Sequence, residues 1–358
     1  MVIDAQGGKT LQRPAAESLV RVTAVCRFAR DDSVFRPSPG DRSAFVHSSQ
    51  MTARSVAVVF AVVGVAAGGG WRDEAPLPTA RGEVAGAVTR DGIAVVGGFL
   101  ADGRSSRRVE VYAPTTGQWR RLPDLPRAVN HTFAAAWRGK LYVAGGYGAT
   151  GRLRTASVLD AGRWRPLPRL PYGLAAGGAA VVAGHLYLVG GVAGPADRSV
   201  LVRRALVLDL AHPLRWQLAP GPVGREHLAV TAAAGSIYAL GGRSAGYDTG
   251  STLVQSWRPG NATWQTKAAL PEARGGAGAA SIGGTIVSVG GEAPSGTIGT
   301  VFAYDVPGNV WRRLPDLPTP RHGLAVAAFG GRVFAIGGGR SPGLGVSDVV
   351  ESLGVARG

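Results

Sequence analysis

After residue 67 the chain alternates short apolar runs with polar breaks rich in Gly and Pro. One unit shows the order. Ala134-Ala135-Ala136 makes a run of small residues and Arg138-Gly139 a turn, and LYVAGG at 141–146 makes a second run closed by a glycine pair. A polar loop leads to a third run at 156–160, and Trp164 opens a fourth. Runs of this length bounded by Gly and Pro predict strands, so each unit predicts four short antiparallel strands.

The unit recurs. Glycine doublets begin at Gly97, Gly145, Gly190, Gly241, Gly290 and Gly337, spaced 48, 45, 51, 49 and 47 residues. Trp71, Trp119, Trp164, Trp216, Trp264 and Trp311 keep the same beat, spaced 48, 45, 52, 48 and 47. Two residue types sharing a period of about 50 mark an internal repeat of the propeller kind. The third run carries Tyr112, Leu159, Leu208, Trp257 or Tyr304. The fourth ends in a Leu-Pro stop, as in WRRLPDLP at 119–126 and again at 311–318. The first tryptophan precedes the first doublet, and only VVESL at 349–353 follows the last. A strand near Trp71 is therefore expected to complete the last unit, covering an edge that would otherwise invite aggregation.

These residues resemble the kelch repeat, whose signature is a glycine doublet ending the second strand, a tyrosine-like residue in the third and a tryptophan shortly after. The gaps Tyr112–Trp119, Trp257–Trp264 and Tyr304–Trp311 are each seven residues. The resemblance covers roughly residues 71–353. It implies an all-β fold: a six-bladed kelch-type β-propeller with four antiparallel strands per blade, spanning residues 68–358. A shared fold leaves function to the site.

The N-terminus is unlike the rest. Residues 1–50 have no repeat and no periodicity and are expected to be unstructured or upstream read-through. Met51 then opens MTARSVAVVFAVVGVAAGGGW. Arg54 supplies a positive start, Val56–Ala67 an apolar stretch, and Val65 and Ala67 the small residues before a cleavage point, so 51–67 reads as a secretory signal peptide. Two other readings are an anchor near a membrane and a further buried strand, the stretch being short for a bilayer span. Three Lys stand against 36 Arg, with Ala, Gly and Val in excess. That bias points to a GC-rich bacterial gene, and an extracellular location is expected, membrane anchoring being the second choice.

Cys26 is the only cysteine, so no intrachain disulfide can form and no cysteine-based metal site can be built. It also precedes the repeats, which removes the cysteine that kelch-type copper radical oxidases require. Net charge is +16. Such a balance favours anionic partners, but the arginines are scattered through loops with no aromatic–basic strand motif, so nucleic acid is not expected.

Loops at one end of a rigid scaffold are where binding residues collect. The junction before each first strand carries a recurring arginine: Arg81, Arg127, Arg225, Arg274 and Arg321, with Tyr172 where the third should be. His131, His227 and His322 lie close by, with Glu83, Glu226 and Glu272 adding carboxylates. These are read as a rim around the channel mouth, able to hold a carboxylate or sulfate through arginine; most of the arginines are assigned instead to bonding the loop carbonyls of neighbouring blades. In the loops after the doublets the aromatics are Phe99, Tyr147 and Tyr247, and Glu292, the one acidic residue directly behind a doublet, is a candidate site residue whose competing reading is a solvated loop position.

No close ligand spacing supports zinc and no Gly-x-Ser-x-Gly elbow supports a serine hydrolase. No catalytic residue, cofactor or metal is expected. The chain reads as a monomeric, non-catalytic binding scaffold for a protein or carbohydrate partner. The alternative is a carbohydrate epimerase or mutarotase resembling the sialic-acid mutarotases, using Glu292 or Glu226 with His227 and an arginine. Tight clustering of the three histidines with a carboxylate would favour that alternative.

Overall fold

A computed structural model describes residues 70–195 and 198–355. The expectations for 1–50, the signal peptide at 51–67 and Cys26 lie outside the described residues.

The inner strands are built of small residues. Ala85–Thr89, Phe133–Trp137, Gly178–Val182, Ala229–Ala233, Gly278–Ile282 and Ala325–Phe329 each begin a four-stranded antiparallel sheet. We number these sheets 1 to 6. Each first strand packs against the first strands of two other sheets, in the order 1–2–3–4–5–6–1. Their small side chains follow from that crowding: a Cβ on Gly86 would lie 2.8 Å from the Ala325 methyl, and one on Gly178 2.6 Å from Val230.

The second strands, such as Gly92–Val96 and Thr285–Val289, are buried throughout. Their runs are apolar without alternation because neighbouring sheets cover both faces. Six apolar clusters fill the spaces between successive sheets, one of them joining sheet 6 to sheet 1 through Phe334, Ile336, Ile93 and Tyr112. Sheet 6 takes its fourth strand from the other end of the chain, as Trp71 and VVESL lead one to expect. Arg72–Asp73 pairs antiparallel with Val350–Gly354, matching Arg72 to Ser352 and Asp73 to Glu351.

The two periodic residue types are the ties between repeats. Each repeat tryptophan donates its indole N–H to a carbonyl just past the fourth strand of the preceding repeat: Trp119 to Ala75, Trp164 to Pro123, Trp216 to Pro168, Trp264 to Pro220, Trp311 to Ala268 and Trp71 to Pro315, all at 2.8–3.0 Å. Each doublet does the same at the opposite end of the strands. The second glycine donates its N–H to the junction carbonyl of the next repeat, from Gly98 to Val129 through to Gly338, which returns to Arg81. The first glycine stands at φ near +60° with that carbonyl against it; a Cβ on Gly290 would lie 2.4 Å from the Arg321 oxygen. Glycine is required there by conformation and by space.

The structure is all-β and propeller-like. Among the described residues the only helical element is the 3-10 turn Tyr247–Thr249, and no helix is long and apolar enough to cross a membrane.

Candidate functional site

The bond from each second glycine fixes the register of the junctions and corrects the arginine series. Its acceptors are Val129, Leu174, Arg225, Arg274, Arg321 and Arg81. Arginine therefore holds this position in four repeats, while Val129 and Leu174 replace it in the other two. Arg127 and Tyr172 both sit two residues earlier: Arg127 is exposed, and Tyr172 packs on the core between sheets 2 and 3.

The four true members do not form a rim. Arg81, Arg225, Arg274 and Arg321 are buried in a structural role, but they bond carbonyls of their own repeats and not those of neighbouring ones. Arg81 reaches Gly97 O at 2.8 Å, Arg225 reaches Leu253 O at 2.6 Å, Arg274 reaches Gly290 O at 3.1 Å and Arg321 reaches Gly337 O at 2.8 Å. Their counter-charges are Glu110 for Arg81, Glu272 for Arg274 and Glu351 for Arg321; Gln255 serves Arg225. Where the arginine is absent, Ser157 and Leu206 stand on the third strand instead of a carboxylate. Burial pulls the Arg81, Arg225 and Arg274 guanidinium groups down to about 10. None of the four lines the channel mouth, and Glu272 is spent on Arg274 and Thr300.

The position two residues on is different. It is occupied by Glu83, His131, Ala176, His227, Gly276 and Gly323, all in the left-handed region at φ 48° to 64°. Glycine suits such a φ and non-glycine residues seldom adopt it, yet three repeats carry ionisable side chains there. Backbone bonds link the set in sequence: His131 N–H to Glu83 O, Ala176 to His131, His227 to Ala176, Gly276 to His227 and Gly323 to Gly276, at 2.7–3.1 Å. Val84 N–H returns to Gly323 O at 3.1 Å.

Their side chains gather above this ring of backbone. His131 Nε2 lies 2.9 Å from His227 Nε2 and 3.2 Å from Glu83 Oε2. His131 Nδ1 is 2.6 Å from Asn130 Oδ1, and His227 Nδ1 faces Glu226 Oε2 at 3.4 Å. His322, one residue before Gly323, sets Nε2 at 3.4 Å from Glu83 Oε1 and 3.6 Å from Glu292 Oε2. Arg243, from the loop behind its doublet, ties the group together. Its Nε donates to Glu226 at 2.9 Å, its Nη2 to His227 Nε2 at 3.2 Å, and its Nη1 to Glu292. Glu292 is buried in this contact, not solvated.

Burial and mutual charge set the protonation of the group. Burial would raise the Glu83 carboxyl, but the surrounding histidines hold it well below the usual carboxylate range. Burial pulls His131 down to about 4 against the opposing pull of Glu83, so its ring is neutral at pH 7. Burial also disfavours a charge on His322, yet Glu83 and Glu292 override it and raise the group. Glu226 is lowered by His227 and Arg243 despite burial.

A pocket of about 880 Å³ opens over the cluster, with His131, His227, His322, Glu292 and Arg243 in its lining. Phe99 and Tyr147 wall it and meet the His131 ring edge-on, at centroid distances of 5.7 and 5.4 Å. The histidines, Glu83 and Glu292 anticipated from sequence thus come together, and the arginines and Tyr172 do not. Arg243 was missed. Alignment on the Leu-Pro stops rather than on arginine would have brought Glu83, His131 and His227 into one column. Zinc-like local spacing is absent, but the fold assembles Glu83, His131 and His227 from three repeats with ligand atoms within 4.8 Å of one another.

The kelch motif matches the chain at residues 80–126 and 273–318. No curated protein matches the sequence. Both matched segments begin one residue before a buried arginine, at Arg81 and Arg274, and end at a Leu-Pro stop. Kelch motifs generally mediate protein binding. The unmatched repeats carry the same doublet bonds and the same tryptophan bonds, so the two kelch motifs stand within a series of like repeats.

Proposed function

We propose that the six sheets are the blades of one closed six-bladed propeller, exported by the leader at 51–67, and that it binds a small polar ligand of the carbohydrate class in the pocket over His131. The pairing of Arg72–Asp73 with Val350–Gly354 and the bond from Gly338 to Arg81 support closure. The observation that carries the ligand reading is the pocket itself. It has two aromatic walls, Phe99 and Tyr147, and a floor of donors and acceptors, the pattern of a small-molecule site. A sugar offers both an apolar face for the rings and hydroxyls for the floor.

A glycan array probed with the protein tests this reading. Binding that is lost in Tyr147→Ala and Phe99→Ala supports it. Failure to bind any glycan sinks it and leaves a protein partner at the loop face, the general role of kelch motifs.

The convergence of three histidines with Glu83 and Glu292 favours a second reading, acid/base chemistry at a sugar's anomeric carbon, as in a mutarotase or epimerase. His131, with a neutral ring, would take the proton and His322 would give one. Exchange between anomers, followed by NMR with and without the protein, tests it. Equal rates for wild type and His131→Gln would reject it.

A further inference from the structure

We infer that Glu83 Oε2, His131 Nε2 and His227 Nε2 form a binding site for a divalent transition-metal cation of the zinc type. Two of the three separations already fit, and the third, between His227 and Glu83, lies within 4.8 Å and needs only a small side-chain shift to close on a metal. Two ligands about 2.0–2.2 Å from one metal, in tetrahedral or cis-octahedral arrangement, lie about 2.8–3.6 Å apart. The observed separations are 2.9 Å between the two nitrogens and 3.2 Å between His131 and Glu83.

The polar groups behind the rings point the same way. Asn130 Oδ1 accepts from His131 Nδ1, and the Glu226 carboxylate faces His227 Nδ1. Both assign the ring proton to Nδ1, as partners behind metal-bound histidines do. Each Nε2 then carries a lone pair, that of His227 accepting from Arg243 Nη2 at 3.2 Å, and the two nitrogens confront each other at 2.9 Å beside a carboxylate oxygen. Three acceptors converging on one point repel unless positive charge lies among them. Arg243 Nη2 approaches from the His227 side, at 3.2 Å, while its Nε and Nη1 are engaged by Glu226 and Glu292.

Charge and access complete the argument. Glu83, Glu226 and Glu292 put three carboxylates around the site against the guanidinium of Arg243 and the ring of His322, an acidic surrounding that favours a cation. Two imidazoles and one carboxylate suit zinc and its first-row neighbours better than calcium or magnesium, which prefer oxygen throughout. The site opens on the pocket, so further coordination positions face solvent or ligand, the arrangement of an open site. This cation site does not depend on the sugar reading, since its test uses metal alone.

The full chain, freed of metal by a chelator, is titrated with Zn²⁺ by calorimetry, with Co²⁺ as a spectroscopic probe. One equivalent should bind, and Co²⁺ should give a visible absorption band that Zn²⁺ abolishes. His131→Gln, His227→Gln and the near-isosteric Glu83→Gln should each weaken binding at least tenfold. His212→Gln, at an exposed loop position, should leave it unchanged. Thermal unfolding without metal checks that each variant folds. Absence of stoichiometric binding by the wild type would overturn the site, as would binding unaltered in the folded ligand variants.

Discussion

The carboxylate of Glu74 accepts the phenolic hydroxyl of Tyr112 at 2.6 Å. Its other oxygen accepts from Ser352 at 2.5 Å and from Arg72 at 2.9 Å. One side chain near the first described residues therefore fastens the last strand of sheet 6 to the third strand of sheet 1. Burial raises the Glu74 carboxyl, but these donors outweigh it and hold the group below its ordinary value. A lowered folded-state pKa contributes stability that is complete above the ordinary carboxylate range and lost as pH falls through the folded value. Glu74→Gln should lower the urea midpoint at pH 7, and the difference from wild type should shrink on acidification.

Tyr112 gives the complementary limb. Burial, with the bond to Glu74, pushes its hydroxyl up to about 12. A raised folded-state value keeps its stabilisation intact below about pH 10, the unfolded tyrosine value, and loses it as pH climbs through the folded one. Tyr112→Phe should remove this part of the alkaline decline, measurable as a flatter stability curve above about pH 10 than wild type shows.

The ion pair of Arg321 with Glu351, at 2.6 Å, is buried on both sides. Arg321→Leu alone leaves a carboxylate without its partner and should cost about 3–5 kcal/mol. The double variant Arg321→Leu with Glu351→Leu imitates the third repeat, where Leu174 and Leu206 occupy these places. It should be more stable than the single arginine variant. A urea-denaturation cycle measures the coupling, and strictly additive losses would contradict the prediction.

Two glycines separate conformational strain from steric clash. Gly139 has φ +76° and open space where an added methyl would stand, so Gly139→Ala should cost about 1–2 kcal/mol from its backbone alone. Gly290, at φ +68°, would add contact with the Arg321 carbonyl, and Gly290→Ala should cost at least about 1 kcal/mol more. Equal losses in urea titration would mean that the doublet is kept for φ only.

The indole bond of Trp164 to Pro123 spans two repeats at 2.9 Å. Trp164→Phe keeps most of the apolar contact but drops the donor, and a loss of about 0.5–1.5 kcal/mol is expected. Thermal unfolding should shift down by a few degrees.

The strands were legible because their signals are local: doublets force left-handed φ, and tryptophans mark the ties to the preceding repeat. The pairing of Arg72–Asp73 with the last strand was legible as a count, one tryptophan too early and one missing at the end. The junctions were harder to read. Arg127 follows Leu-Pro as a plausible member of the arginine series, but the real column is defined by a carbonyl that accepts from the next doublet, which composition does not reveal. Glu292 looked solvated because its neighbours in sequence are polar. What buries it is Arg243, 49 residues away and delivered by the preceding repeat. The histidines and glutamates were legible as neighbours of one rim, but the convergence of Glu83, His131 and His227 on one point was not, because each comes from a different repeat and only the fold superimposes them.

The ring of backbone bonds through Glu83, His131, Ala176, His227, Gly276 and Gly323 is made without any side-chain atom. It works as a carousel of six seats whose frame is indifferent to the passengers. Three seats carry ionisable groups and three are all but vacant. Beyond Gly276, an added Cβ would meet its nearest atoms at 3.4 Å or more, in ordinary contact, whereas at Gly323 it would strike the Glu83 carboxylate at 2.6 Å. A new donor at 276 would therefore meet only the strain of its left-handed backbone, while one at 323 would also have to displace the Glu83 carboxylate, so changes of ligand chemistry in this scaffold have one readier direction.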